Sequence, residues 1–287
     1  MRHNLAMPTA SRRSFLYTSL GSAGSALALS QRARGAPTAR DTSDFKLGVA
    51  SYSLRKFPRA EAIQIIKRLG LRYVNIKSYH LPLDSTPDQI REARKEFEDA
   101  GLIIVGGGNI EFRTDDERDM RHKFDYARLA GMPLIVCAPT KITLPKLEKF
   151  VQEYDIKIAV HNHGPKDNFP APQDALKILR DMDPRCGVCV DVGHTAEAHV
   201  DPVEAIRASG ARLLDVHIKD MRVFGDVNTL CDVGDGVLPI PAIFSELHKM
   251  NYTASVNLEY EINENDPFPG MSRSYAYMFG VLAGLKG

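Results

Sequence analysis

Short apolar runs alternate with longer amphipathic segments along the chain after Asp44. Apolar runs of about four to eight residues, rich in valine and isoleucine, are typical of buried strands. The pattern therefore predicts eight strands, at residues 46–51, 73–78, 102–107, 134–138, 157–161, 187–192, 213–218 and 255–261.

The segments between these strands have the apolar spacing of helices. In the first of them, Ile63 and Ile66 lie on one helical face, and Gly70 follows soon after. Glycine often ends a helix because it adopts the left-handed backbone conformation without steric cost. Gly101 and Gly131 follow the next two amphipathic segments in the same way, so that strands and helices alternate.

Repeated strand–helix units with nearly continuous apolar strands are typical of a parallel sheet covered by helices. An open doubly wound sheet and a closed barrel both satisfy that pattern. Eight units favour the barrel, and the glycine-rich phosphate fingerprint of many open sheets is missing, because the glycines at 106–108 lack its spacing. We therefore predict an α/β fold, a single (β/α)₈ TIM barrel over residues 45–287, without a second domain.

The first 35 residues differ from the rest of the chain. The pair Arg12 and Arg13 precedes a weakly apolar stretch over residues 16–29, and small residues follow it. This order predicts a twin-arginine (Tat) signal peptide over residues 1–35 and a linker over 36–44, hence a periplasmic or otherwise exported protein. A disordered basic tail is the alternative. The apolar stretch is too short for stable membrane insertion.

Removal of that segment changes the charge of the chain. Residues 1–35 contain five arginines and no acidic residue, so the formal net charge would fall from +1 to −4. A mildly acidic protein has no general attraction to phosphate backbones, which argues against a nucleic-acid partner. Cys186 and Cys189 form a CxxC pattern, but positions three apart on a strand face opposite sides. Buried thiols are therefore expected, not a redox or zinc site.

Residues that commonly bind metals stand at the ends of the last four predicted strands. They are His161, Asp191, His217 and Glu259. In a TIM barrel these strand ends meet at the face that carries the chemistry. Two imidazoles with two carboxylates suit Mn²⁺ first, with Zn²⁺, Co²⁺ or Fe²⁺ as alternatives, better than Ca²⁺ or Mg²⁺. A hydrogen-bonded ring of polar residues without a metal is the other interpretation.

The sequence around these residues resembles the xylose isomerase-like TIM barrel family, also described as sugar phosphate isomerases and epimerases. The resemblance rests on HNHG at 161–164, DVGH at 191–194, HIKD at 217–220 and LEYE at 258–261. It implies a divalent metal held by a glutamate, an aspartate, a histidine and a second glutamate. The last three correspond to Asp191, His217 and Glu259.

The first glutamate of the family corresponds to His161, and this is a departure. Epimerases of the family use both glutamates to transfer protons, so their two-carboxylate scheme cannot simply be carried over. The change leaves two carboxylates to balance a divalent ion. Such a metal is a stronger Lewis acid toward a substrate carbonyl than one with three carboxylates.

Several further residues are candidates for the chemistry. Glu259 is the first choice for the base, and Glu261, two residues later, is a second. His194 is a candidate proton donor or acceptor, and Lys219 a candidate for oxyanion stabilisation. The candidates for substrate binding are Lys77, His80, Asn109, His163 and Arg222.

These residues predict a divalent-metal-dependent sugar isomerase or epimerase that acts through a metal-bound enediolate. The substrate would be a keto- or aldo-sugar without a phosphate group, since no phosphate-binding loop is evident. A keto-glycoside lyase with the same site and a non-catalytic sugar-binding barrel are the alternatives. An apurinic-site endonuclease would need more metal ligands and a basic surface. The sequence is compatible with a homo-oligomer but does not specify one.

Overall fold

Eight parallel strands close into a barrel in the computed structural model, which describes residues 46–285. Around the barrel the strands follow the order β1, β2, β3, β4, β5, β6, β7 and β10. Their bounds are β1 (Lys46–Ala50), β2 (Tyr73–Ile76), β3 (Ile103–Phe112), β4 (Leu134–Pro139), β5 (Lys157–His161), β6 (Cys186–Asp191), β7 (Leu213–Ile218) and β10 (Ser255–Leu258). The predicted TIM barrel is confirmed. The predicted signal peptide and linker lie outside the described residues.

Helices follow the strands and cover the outside of the barrel. They are α1 (Arg59–Arg68), α2 (Pro87–Asp99), α3 (Glu117–Leu129), α4 (Glu148–Tyr154), α5 (Pro172–Leu179), α6 (Val192–Glu197), α7 (Pro202–Ser209), α8 (Ile240–Lys249) and α9 (Phe268–Gly284). As predicted, Gly70, Gly101 and Gly131 stand just beyond helices with φ of +74°, +78° and +70°. Within residues 46–285 no helix has the length and apolarity to cross a bilayer.

The loop after β7 contains an element that the apolar pattern did not predict. Strands β8 (Asp220–Met221) and β9 (Leu230–Cys231) form a short antiparallel hairpin. The buried Asp220 carboxylate accepts hydrogen bonds from the backbone amides of Gly234, Gly236 and Leu238. One aspartate thereby organises the loop, because it satisfies amides that no strand partner reaches.

Three predicted boundaries differ from the structure in ways that affect the site. β3 continues to Phe112, so Asn109 and Glu111 lie within this strand, although we expected them to follow it. His194 lies in the short helix α6, one turn after β6. β10 ends at Leu258, which places Glu259 in the loop that follows.

The barrel interior has an apolar part and a polar part. Side chains from β4, β5 and β6 form a small apolar cluster of Leu134, Val136, Ala159 and Cys189. Elsewhere in the interior the wholly buried Asp215 accepts hydrogen bonds from Asn75, Ser255 and Asn257 at 3.2, 2.8 and 2.8 Å. A buried carboxylate is tolerated when its oxygens are hydrogen-bonded in this way.

Candidate metal and active site

Four side chains from neighbouring strand ends converge at the mouth of the barrel. His161 ends β5, Asp191 ends β6, His217 lies in β7 and Glu259 directly follows β10. One donor atom from each lies within 4.8 Å of one donor atom from each of the others. All four residues are buried, with at most 7% of their surface exposed. The strand-end pattern in the sequence therefore corresponds to one compact group of metal-binding side chains.

Local hydrogen bonds hold Asp191 in place at the start of α6. Its Oδ1 accepts a hydrogen bond of 2.8 Å from the backbone amide of His194, which caps the helix. Asn162 accepts from the amide of Asp191 at 2.9 Å and donates to its carbonyl at 3.2 Å. The second carboxylate oxygen, Oδ2, faces His161 Nε2 at 3.5 Å. One oxygen of Asp191 is thus structural, and the other faces the site.

His217 lies between two carboxylates. Its Nδ1 is 3.4 Å from Glu259 Oε2, and its Nε2 is 3.6 Å from Asp215 Oδ2. A carboxylate on the far side of an imidazole commonly fixes the ring orientation of metal-binding histidines. Asp215 is in turn fixed by its own hydrogen bonds, so this part of the site is rigid.

Buried polar atoms without partners indicate what the group of side chains is suited to bind. Both ring nitrogens of His161 and both of His217 are buried and lack a hydrogen bond. Leaving such atoms unpaired costs roughly 1–3 kcal/mol each. A divalent cation would satisfy them, because imidazole nitrogens and carboxylate oxygens are ligands for transition metals. The residues therefore fit such an ion.

Two lysines lie among the carboxylates. Lys219 Nζ is 3.0 Å from Asp191 Oδ2 and 3.2 Å from Glu259 Oε2, and it also contacts Glu261. Lys77 Nζ is 3.1 Å from the other oxygen of Glu259. Both lysines are about 95% buried. The three acidic side chains are thus nearly balanced by two ammonium groups within the protein itself.

Burial and charge shift the pKa values of these groups in different directions. Burial lowers the pKa of His161 to about 3, so its imidazole is neutral and has a free lone pair. Burial raises the pKa of Asp191, but Lys219, His194 and His161 together outweigh it and hold the pKa well below its usual value. For Glu259 burial is likewise outweighed, by Lys77, His217 and Lys219. Both carboxylates are therefore ionised at neutral pH.

The pKa values of Lys219 and His217 shift upward. Burial lowers both, but Asp191 and Glu259 outweigh it for Lys219, and Cys189 and Glu259 outweigh it for His217. Lys219 is therefore a permanent cation at neutral pH. A metal must displace any proton on His217 to bind there.

A cavity of about 220 Å³ opens above the four residues. Its walls come from the ends of β1, β2, β3, β5, β6 and β10. The lining residues are Tyr52, Lys77, Ser78, Tyr79, Asn109, His161, His163, His194, Glu259 and Glu261. The Tyr52 and Tyr79 rings meet edge to face, with centroids 5.5 Å apart. Asp191 and His217 are completely buried and lie below this cavity.

Comparison with protein families agrees with this architecture. The sequence model of the xylose isomerase-like TIM barrel matches residues 54–278, which is most of the chain. The chain belongs to this family. A search of curated proteins found no match.

Solved structures share the barrel of this xylose isomerase-like chain at low sequence identity. The 3-keto-D-glucoside 4-epimerase YcjR from E. coli is 17% identical with a TM-score of 0.68, over 82% of this chain and 99% of that one. D-psicose 3-epimerase, solved with D-fructose, is 16% identical with a TM-score of 0.67, over 83% and 99%. The IOLI protein, solved with a zinc atom, is 16% identical with a TM-score of 0.68, over 84% and 99%. At such low sequence identity, the TM-scores show a shared fold and nothing more.

Most of the residues selected from the sequence of this family member lie around the cavity. Besides the four metal-ligand candidates, these are Lys77, Asn109, His163, His194 and Glu261 at the wall, and Lys219 below it. His163 and His194 lie with ring centroids 4.4 Å apart, and Glu197 contacts His194 Nδ1 at 2.8 Å.

Two predicted substrate-binding residues do not face the cavity. His80 is buried, with Nδ1 2.9 Å from Ser51 Oγ and Nε2 3.2 Å from the carbonyl of Leu54. Both nitrogens are therefore engaged in holding the loop after β1. Arg222 is exposed in the loop after β7, away from the lining residues. Their positions after β2 and β7 agree with the strand-end prediction, but the side chains point away from the cavity.

Sequence reasoning also missed residues that belong to the site. Tyr52 and Tyr79 follow β1 and β2, so the strand-end rule that selected Lys77 could have included them. Asp215 could not have been found in this way. Its role depends on hydrogen-bond partners from β2 and β10, which are distant in sequence.

Proposed function

We propose that this protein is a divalent-metal-dependent isomerase or epimerase of a sugar that carries no phosphate group. The observation that carries the proposal is the group of four buried donors at the barrel mouth, with donor atoms within 4.8 Å of one another. The unpartnered nitrogens of His161 and His217 support a cation as its occupant.

The similar structures support the substrate class. Two of them are named as epimerases, of a 3-keto-D-glucoside and of D-psicose, and a third contains zinc. The cavity itself offers a polar floor and the aromatic pair of Tyr52 and Tyr79 at one wall. Sugar rings combine hydroxyl groups with apolar C–H faces, so a mixed lining of this kind suits them. None of the lining residues is an arginine, which agrees with a substrate that lacks phosphate.

A divalent cation at this site would polarise a substrate carbonyl and favour loss of a proton from the adjacent carbon. His161, Asp191, His217 and Glu259 would hold it. Lys77 and Lys219 hold their ammonium groups against Glu259 and Asp191, and Lys77, which lines the cavity, would stabilise negative charge that develops on a substrate oxygen. The site is thus suited to stabilise an enediolate, the anion that forms when a carbon beside the carbonyl loses its proton.

Proton transfer requires a group that faces the substrate and can accept a proton. Glu259 lines the cavity, but two ammonium groups and His217 hold its pKa low, which weakens it as a base. Glu261 also lines the cavity and contacts only Lys219 among these cations. We therefore assign metal binding to Glu259 and give Glu261 the main part in proton transfer, with His194 and His163 as partners.

Metal analysis of the purified protein tests the proposal. Wild-type protein is expected to hold one equivalent of Mn²⁺ or a similar ion, and His161→Ala should lower the affinity by more than about 100-fold. Incubation with a panel of keto- and aldo-sugars in D₂O should give deuterium uptake at the carbon beside the carbonyl, detected by NMR.

The matched control is His80→Ala, which removes a buried histidine that does not face the cavity. It should retain the metal if it folds, as judged by circular dichroism. Equal metal content in wild type and His161→Ala would refute the site. Release of an aglycone from a keto-glycoside, instead of isomerisation, would assign a lyase reaction.

A further inference from the structure

A second set of metal-binding atoms lies deeper in the barrel and shares the two histidines. Cys189 precedes Asp191 by two residues on β6, so both side chains point to the same side of that strand. The sulfur of Cys189 and one nitrogen each of His161 and His217 lie within 4.8 Å of one another. Cys189 and His217 have no exposed surface, and His161 has 4%.

The unpartnered imidazole nitrogens are a separate observation that points to a ligand there. Each ring has two buried nitrogens without a hydrogen bond, so each can offer a lone pair to a cation. Around Cys189 pack Leu134, Val136 and Ala159, which exclude water from that side. A dry pocket with one sulfur and two nitrogens suits a thiophilic cation, whereas carboxylate oxygens suit a harder one.

We propose that the barrel offers a divalent cation two alternative positions that share His161 and His217. The upper position adds Asp191 and Glu259 and takes a hard ion such as Mn²⁺. The deeper position adds Cys189 and takes a thiophilic ion such as Cd²⁺, and Co²⁺, which accepts nitrogen, oxygen or sulfur ligands, can serve as its spectroscopic probe. The inference rests on the proposed metal site for its two imidazoles. When the metal–sulfur bond forms, the thiol proton leaves to solvent.

Cobalt reports directly on sulfur ligation. Addition of Co²⁺ to the metal-free full-length protein should produce the near-ultraviolet thiolate-to-cobalt charge-transfer band. Cys189→Ser and Cys189→Ala should both lack it. Cys186→Ser is the matched control, because Cys186 is a fully buried cysteine of the same strand but packs in the main core outside the set. It should retain the band.

Affinities for two ions separate the two positions. Cys189→Ala should weaken Cd²⁺ binding on the order of 100-fold and leave Mn²⁺ binding unchanged, and Glu259→Gln should do the reverse. His161→Ala should weaken both. Calorimetry measures Cd²⁺, and electron paramagnetic resonance measures Mn²⁺.

The deeper position is refuted if wild-type protein with Co²⁺ lacks the charge-transfer band. It is also refuted if wild type and Cys189→Ala bind Cd²⁺ with equal affinity. Mn²⁺ binding would then still stand. Failure of Mn²⁺ to bind at all refutes the proposed function separately, since Co²⁺ absorption does not depend on Asp191 or Glu259.

Discussion

His161 decides how this site differs from the family pattern. The resemblance implied a glutamate at this position, and with it a second base. The neutral imidazole of His161 cannot take over that part while it faces a cation, because its free lone pair is then used for binding. Under the proposed function, a carboxylate outside the four metal ligands would then take the proton. Glu261 lies nearest in sequence and lines the same cavity.

Two conservative substitutions separate metal binding from proton transfer. Glu261→Gln should retain the metal and lower the rate of deuterium exchange by about 100-fold or more, because a positioned base typically contributes that much. Glu259→Gln should lose metal and exchange together. The test compares the metal content and the NMR deuterium exchange rates of the two variants with those of wild type.

The opposite result is equally informative. If Glu261→Gln exchanges deuterium as fast as wild type while Glu259→Gln retains metal but is inactive, Glu259 is the base. Glu261 would then serve only as a partner of Lys219.

Strand-end reasoning identified the candidate site to a large extent from the sequence. It selected His161, Asp191, His217 and Glu259, which the structure brings together. It failed for His80, because nothing in the local sequence reveals that Ser51 and Leu54 engage both ring nitrogens. Side-chain direction at a loop depends on such tertiary partners.

At the scale of elements, β3 shows why boundaries were harder to predict. The apolar pattern predicts that this strand ends at residue 107, but the strand runs on to Phe112. At Gly108 the backbone has φ of +117°, and an added Cβ would lie 2.0 Å from the carbonyl oxygen of Val136. Here glycine allows two strands to approach closely. The β3–β4 register shifts between Gly107 and Ile110, and Asn109 within this irregularity lines the cavity.

Gly108→Ala should therefore destabilise the fold by about 3 kcal/mol or more, from backbone strain and overlap with β4. Gly280→Ala is the matched comparison. Gly280 is an exposed residue inside α9 with nothing within 4 Å of an added Cβ. It should stabilise the protein by about 0.5–1 kcal/mol, since alanine favours helix more than glycine does.

Thermal unfolding followed by circular dichroism measures both changes. Each kcal/mol corresponds to about 2–4 °C in the melting temperature of a domain of this size. A Gly108→Ala variant that melts with wild type would show that β3 can move away from β4 at little cost.

For the whole molecule, the architecture was predictable and the interior was not. Alternating strands and helices repeat often enough in the sequence to specify a closed barrel. The polar interior around Asp215 depends on side chains from three other positions on β2 and β10, and no local pattern relates them. Local periodicity in the sequence thus predicts the topology. A buried polar network can be recognised only once the assembled barrel shows which side chains meet.

Export is a prediction for the whole chain that the described residues do not test. Replacement of both Arg12 and Arg13 by lysine should leave the protein unprocessed in the cytoplasm, because the twin-arginine route requires the pair. Cell fractionation with immunoblotting measures this. Replacement of Arg32 and Arg34 by lysine, outside the pair, is the control and should not change the distribution.

Lys219 has a consequence for how the barrel folds. Its ammonium group contacts Asp191 at the end of β6 and both Glu259 and Glu261 in the loop after β10, so it joins two parts of the barrel mouth that β7 separates. These acidic groups are thus offset by a counter-ion that is part of the polypeptide, so mutual repulsion does not open the barrel mouth. We therefore expect the chain to fold without a bound cation, because Lys219 already holds these carboxylates together.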